Sequence, residues 1–340
     1  MTVEKSYGVG NVERNCRHIR ALRCLEHPNI LHLRDIIIPT SLADERCRWP
    51  LLGSPANNIL LEIDWYPTNL GRVIRSSTNL TDLHVQYFLY QMLCALKFMH
   101  SGGFHHEYMM PEDVLVKADC HLVIADCRNV CRAEDFQAAA GEADIDPDEP
   151  SPRGRWYHPP EALASCRPAT HRAGIWSLGC ILAELLTRRP LFPLEDAQRL
   201  LRAHVSAVGK PGPDALRGMG CGQSAIDYIQ RLPAPAEGAQ RAPLWPQPPP
   251  AASDLLARLL RFDPAERPEA AEALRHEVRP GRHRQARMIR STASRPLSAP
   301  AIRLGVPPPL PPSCVEREVT AGGRAWGVNE IGRERDRRGA

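Results

Sequence analysis

The stretch HHEYMMPEDVLV at residues 105–116, followed by CHLVIADCRN at 120–129, decides how this chain reads. Val114, Leu115 and Val116 form one short apolar run, and Leu122, Val123 and Ile124 form another. Two such runs separated by a few polar residues read as short strands, near 113–117 and 121–125. His106, Glu107, Tyr108 and Asp113 precede the first run, and Asp126 follows the second. Upstream, Thr81 opens a long helix with Asp82 in its first turn. Val85, Phe88, Leu89, Met92, Leu93, Leu96 and Met99 fall on one helical stripe, and Gly102-Gly103 closes it.

Further out, Ile19, Leu22 and Leu25 space a helix over about 12–26, which His27-Pro28 ends. LHLRDIII at 31–38 and ILLEIDW at 59–65 read as strands, separated by a polar loop over 39–57. Beyond residue 152 the pattern is helical, over about 175–187, 195–208, 224–231, 252–261 and 268–277, with a Pro-rich irregular segment at 233–250. A small strand-containing front half and a helical back half make an α+β, two-lobed architecture.

Several stretches jointly resemble one family, the mitogen-activated protein kinases. RVIRSS at 72–77 with LTDLHVQYFLYQML at 80–93 is similar to their inter-lobe helix, and RWYHPPEAL at 155–163 to their substrate-side segment. WSLGCILAELLTRRPLFP at 176–193 resembles their central C-lobe helix, RFDPAERP at 261–268 its closing turn, and HPNI at 27–30 the end of their regulatory helix. The resemblance covers about 12–277. It implies a protein-kinase-like domain over 1–277, with a truncated N-lobe over about 1–66 and a mainly helical C-lobe over about 67–277. The tail, 278–340, lies outside it.

The resemblance also assigns roles, and most reactive positions depart from the pattern. The catalytic loop HRDLKPSN aligns with His106, Glu107, Tyr108, Met110, Pro111 and Asp113. His106 matches the pattern's structural His. Glu107 replaces its Arg, Tyr108 its catalytic Asp, Met110 its Lys and Asp113 its metal-binding Asn. Asp126 keeps the metal-turn Asp, while Cys127 and Arg128 replace Phe and Gly. A phenol of pKa about 10 stays protonated at neutral pH and cannot take the substrate hydroxyl's proton as a carboxylate does. Asp126 and Asp113 would offer carboxylate oxygens to Mg²⁺, or Asp113 merely caps a turn. Ile63 and Leu115 fall on the adenine pocket. Gly8-Val9-Gly10 reads as a turn rather than a phosphate-covering loop. His18 stands where the regulatory helix carries Glu, and Lys5 precedes it by fewer residues than is usual. Lys5 is either the phosphate lysine or a solvated one. Gly174 replaces the Asp that anchors the catalytic loop from below. Glu149 and Ser151 fall on the activation-segment phosphorylation site, after an acidic run at 142–149. Glu161 and Arg267 match the family's buried ion pair.

The expectation is a pseudokinase: a catalytically impaired kinase-like protein that binds signalling proteins as a scaffold or allosteric partner. The alternative is a weak or atypical Ser/Thr kinase using Mg²⁺ and ATP through Asp126 and Asp113. From Arg279 onward there are 13 Arg against 5 acidic residues. That composition, with VPPPLPPS at 306–313, suggests a disordered tail suited to acidic surfaces or to Pro-groove domains of SH3 or WW type. Nucleic acid is not expected as a partner. The 11 Cys show no zinc-like paired spacing and read as reduced thiols of the cytoplasm or nucleus. No run approaches the ~18 apolar residues that a membrane span needs.

Overall fold

Three antiparallel strands build the front of the molecule: β1 (Thr2–Gly8), β2 (Leu33–Ile37) and β3 (Asn58–Asp64), in the order β1-β3-β2. This computed structural model describes residues 2–8, 12–37, 58–127, 130–132, 153–166, 170–233 and 250–277. Between β1 and β2 runs α1 (Val12–Cys24). The sequence reading contains no strand before α1. TVEKSYG has little apolar character, and only pairing with β3 makes it one. In that ladder Val3 stands opposite Ile63, Lys5 opposite Leu61 and Tyr7 opposite Ile59. Gly8 therefore ends a strand; Val9 and Gly10 lie outside the described residues.

A two-residue strand β4 (Thr68–Asn69) leads into α2 (Leu70–Arg75), where the Asn69 side chain accepts from the Arg72 N–H as N-cap. Next come α3 (Asp82–Ser101), β5 (Phe104–His106), β6 (Val114–Val116), β7 (Leu122–Ile124) and β8 (Val130–Arg132). Thr81 caps α3 in a reciprocal box with His84. The whole apolar stripe of α3 is buried; Phe88, Met92, Leu96 and Met99 are fully covered. The β6–β7 hairpin pairs Val114 with Ile124 and Val116 with Leu122, and β4 extends it.

Helices make up most of the remainder: α4 (Pro160–Leu163), α5 (Ala173–Thr187), α6 (Ala197–Val208), α7 (Pro213–Gly218), α8 (Gln223–Arg231), α9 (Pro250–Leu259) and α10 (Ala270–Ala273). This is an α+β fold with few strands in front and many helices behind. The helix expected over 268–277 is much shorter. After Ala273 the Arg275 and His276 N–H groups bond carbonyls three residues back, which tightens the chain out of the α-helix. Among the described residues no helix is long and apolar enough to cross a membrane.

A buried polar network joins the front strands to the helical part. Gln91 on α3 donates to the Cys120 carbonyl at 2.9 Å and accepts from the Leu122 N–H at 3.0 Å. Asn29 donates to Gln91 Oε1 at 3.1 Å and to the Leu122 carbonyl at 3.0 Å. The Ile124 N–H in turn donates to the Asn29 carbonyl, and the Leu31 N–H to that of Ile124. Each buried amide thus has a partner, which is the condition for burying it at all.

The expectation that every Cys is a free thiol fails at one place. Cys166, just after α4, is bonded to Cys221, between α7 and α8, across 55 residues. No local spacing signals this pair; packing of a second apolar cluster around Leu201, Val205, Leu216 and Ile229 brings them together. Among the described residues Cys16, Cys24, Cys94, Cys120, Cys127 and Cys180 are free. A cross-link closing a loop of this size is worth about 2–4 kcal/mol. Cys166→Ser should therefore melt several degrees below the oxidised wild type, and a reductant should bring the wild type down to the variant. Identical melting of all three samples would show that the bond does not form in solution.

Candidate functional site

The turn after β7 and the loop before β6 meet because the hairpin brings their ends together. The Ala125 N–H donates to the Asp113 carbonyl at 2.8 Å, so Asp113 and Asp126 stand at the same end of the β6–β7 ribbon. Asp113 Oδ2 also accepts the Met110 N–H at 2.9 Å, capping the 3-10 turn Pro111–Asp113. Asp126 is buried to 6% exposure. His106 is fully buried, and its Nε2 bonds the Asp126 carbonyl at 3.1 Å. Burial lowers the His106 pKa, so the ring acts as a neutral strut between the loop and the metal turn.

Tyr108 is buried to 8% exposure and lies against His158, with ring centroids 4.0 Å apart. His158 belongs to the RWYHPPEAL segment and shares a hydrogen bond with the Gly154 carbonyl at 3.2 Å. The position that aligns with the catalytic Asp therefore holds an aromatic packed onto the substrate-side segment. Nothing in the sequence reading marked His158 as its neighbour; the pairing joins residues 50 apart and depends on the tertiary fold. Glu107 is half-buried beside it, and Met110 packs against the main core.

The positions expected to shape a nucleotide cleft are distributed over both parts. Ile63 is buried in β3 and Leu115 half-buried in β6, and both belong to the same continuous apolar cluster. Lys5 stands in β1, two positions along from the Val3–Ile63 pair. His18, in the place of the regulatory Glu, is buried, and its Nδ1 accepts the Cys127 N–H at 3.1 Å. This bond ties α1 to the backbone just after Asp126. Glu149, Ser151 and Arg128, with the acidic run at 142–149, lie outside the described residues.

Gly174 has a positive structural role. A Cβ there would sit 2.9 Å from the His106 carbonyl oxygen, so glycine lets the catalytic-loop backbone lie directly on α5. Below it, Arg267 and Glu161 form a bidentate pair with two 2.6 Å bonds, their side chains 0% and 3% exposed. The remaining guanidinium N–H groups donate to the Arg261, Arg172 and Phe262 carbonyls at 2.8, 3.1 and 2.9 Å. The guanidinium also lies 5.1 Å from the Trp176 ring centroid.

Comparison with known proteins gives consistent likenesses. The family described as protein kinase domain matches residues 4–278. Over 267 residues the chain is 34% identical to mitogen-activated protein kinase homolog MMK2 of Medicago sativa, covering 78% of this chain and 66% of that protein. It is 33% identical over 266 residues to mitogen-activated protein kinase 5 of Oryza sativa subsp. indica, with the same coverage. Against mitogen-activated protein kinase 6 of Arabidopsis thaliana it is 33% identical over 268 residues, covering 78% and 62%. The chain spans about two thirds of the length of these curated relatives.

Two outcomes check this geometry. Removing one partner of a buried pair strands the other charge, at about 3–5 kcal/mol. Arg267→Ala should therefore unfold at a much lower urea concentration than wild type, or be recovered aggregated; a wild-type midpoint would refute the buried pair. Burial also pushes His158 down to about 4 and His204 down to about 3. In the unfolded chain both take up a proton near 6.5. Between about 6.5 and 4 the unfolded state thus binds more protons than the folded one, and stability is lost as pH falls. The melting temperature should already decline between pH 6.5 and 5, before most carboxylates titrate; a flat profile there would show that these rings protonate within the fold.

Proposed function

Because the chain belongs to the protein kinase family and, within it, resembles the mitogen-activated protein kinases, we propose that it uses the kinase fold to bind signalling proteins and has lost efficient phosphoryl transfer. The observation that carries this reading is Tyr108, buried and stacked on His158 where the resemblance puts the catalytic carboxylate. Phosphoryl transfer depends on positioning and charge stabilisation, with a carboxylate accepting the substrate hydroxyl's proton. A phenol is protonated at neutral pH, and its ring occupies space that a substrate hydroxyl would approach. Loss of the base alone lowers the rate by about 10²–10⁴. His18 offers no carboxylate to a phosphate-binding lysine and instead holds the metal turn.

A second reading has its own support. Lys5 lies in a strand paired with β3, and Asp113 and Asp126 share one end of the β6–β7 ribbon. These are positions from which a kinase of this family holds Mg-ATP, so a weak or atypical Ser/Thr kinase is the alternative. In either reading the Arg-rich segment from Arg279, with its Pro run at 307–312, is proposed to engage acidic surfaces or Pro-groove domains. The cytoplasm or nucleus is the proposed location.

Purified full-length protein should not phosphorylate a generic substrate of mitogen-activated protein kinases above a no-enzyme control. Mg-ATP should shift its melting temperature little. Activity abolished by Asp126→Ala would overturn the proposal. So would a shift of several degrees seen with Mg-ATP and absent with ATP plus chelator if it came with turnover; the same shift without turnover would leave a nucleotide-binding scaffold.

A further inference from the structure

Away from the Asp113–Asp126 turn, three side chains from distant stretches converge. His100 lies in the last turn of α3, His171 just precedes α5, and Glu269 caps α10. One ligand atom from each lies within 4.8 Å of the others. His171 Nε2 and Glu269 Oε2 are 2.7 Å apart. The other carboxylate oxygen of Glu269 accepts from Arg172 Nε at 3.0 Å and Nη2 at 2.6 Å. The His100 ring stands edge-on to that of His171, with centroids 4.9 Å apart. Both His100 nitrogens are buried with no hydrogen-bond partner among the described residues. His105 adds a third ring, its centroid 5.5 Å from that of His171.

We infer that His100, His171 and Glu269 form a binding site for a divalent transition-metal ion of the zinc type, with the fourth position left to water or His105. Two imidazoles and a carboxylate are a donor set that zinc takes in tetrahedral geometry. A buried imidazole lone pair facing no donor is unfavourable, and a metal ion would satisfy it. Burial also keeps His100 neutral, its pKa pushed down to about 4, which is the ligand form. Arg172 orients Glu269 and is itself held by the Pro264 and Ala265 carbonyls at 3.2 and 2.6 Å, as an outer shell holds a ligating carboxylate.

Two features oppose the ion, and both are small. The Arg172 charge is largely spent on the same carboxylate. The His171–Glu269 separation must open to about 3.3 Å to admit tetrahedral bonds of about 2.0–2.1 Å. His171 and Glu269 are 31% and 35% exposed, so they can move apart and an ion can enter from solvent. A bound ion would tie the end of α3 to the starts of α5 and α10, three elements with no covalent link nearby.

The test uses full-length protein stripped with chelator and then titrated with Zn²⁺ alone, in competition with a chromogenic chelator. Wild type should bind one ion more tightly than His171→Ala and Glu269→Gln, each weakened about tenfold or more. Zn²⁺ should raise the melting temperature of wild type and of a remote control, His276→Ala, but not of the two site variants. Because both substituted side chains are partly exposed, these variants should fold. Equal affinity and stoichiometry in wild type and His171→Ala would overturn the site. An equal loss in His276→Ala would overturn it as well, since it would assign the ion to scattered surface histidines.

Discussion

Arg267 spends every guanidinium N–H on an acceptor, two on Glu161 and the rest on the backbone carbonyls of Arg261, Arg172 and Phe262. A buried cation is tolerable only when it is paired and fully hydrogen-bonded, and this one is both. Its acceptors come from α4, the residue before α5 and the turn after α9. One side chain therefore sets the relative placement of the segments that carry the rest of the helical part. Trp176 lies beneath it, and His204 packs 4.7 Å from Trp176 and 4.5 Å from Phe192 between ring centroids.

The catalytic-loop region illustrates how replaced residues find new partners. Gly174 leaves room for the His106 carbonyl to approach α5, so loss of a side-chain tether is met by direct backbone contact. His106 continues to reach the Asp126 carbonyl. Tyr108 gains an aromatic neighbour in His158, and His18 gains the Cys127 N–H. These contacts at Tyr108 and His18 are neutral and packed. Buried neutral contacts hold a loop still without the desolvation that a carboxylate or guanidinium would suffer there. The loop is thus held by packed neutral contacts on several sides.

The Cys166–Cys221 bond lies just beyond α4, beside a small apolar cluster. Glu161 itself sits five residues from Cys166, and the Cys166 N–H donates to the Glu161 carbonyl at 2.8 Å. The disulfide and the ion pair therefore brace one short helix from opposite ends. Such bracing suits the substrate-side segment, whose RWYHPP run must hold Tyr157, bonded to Glu184 at 2.5 Å, and His158 in fixed places.

The amino-acid sequence by itself determined the long elements. The stripe from Val85 to Met99 specifies α3 because its period matches a helix with one buried face, and the paired apolar runs at 114–116 and 122–124 specify a hairpin. The motif spacing was enough to name the family and to show that Tyr108 is no carboxylate. Tertiary structure alone decided the partners. β1 exists because β3 pairs with it, not because TVEKSYG favours a strand. Cys166 meets Cys221, Tyr108 meets His158, and His100 meets His171 and Glu269 across 50 to 169 residues. Periodicity reports which face of an element is apolar, but not which distant face it will meet. That choice belongs to the packing of the whole chain, where burying one pair of surfaces fixes the distances between all the others.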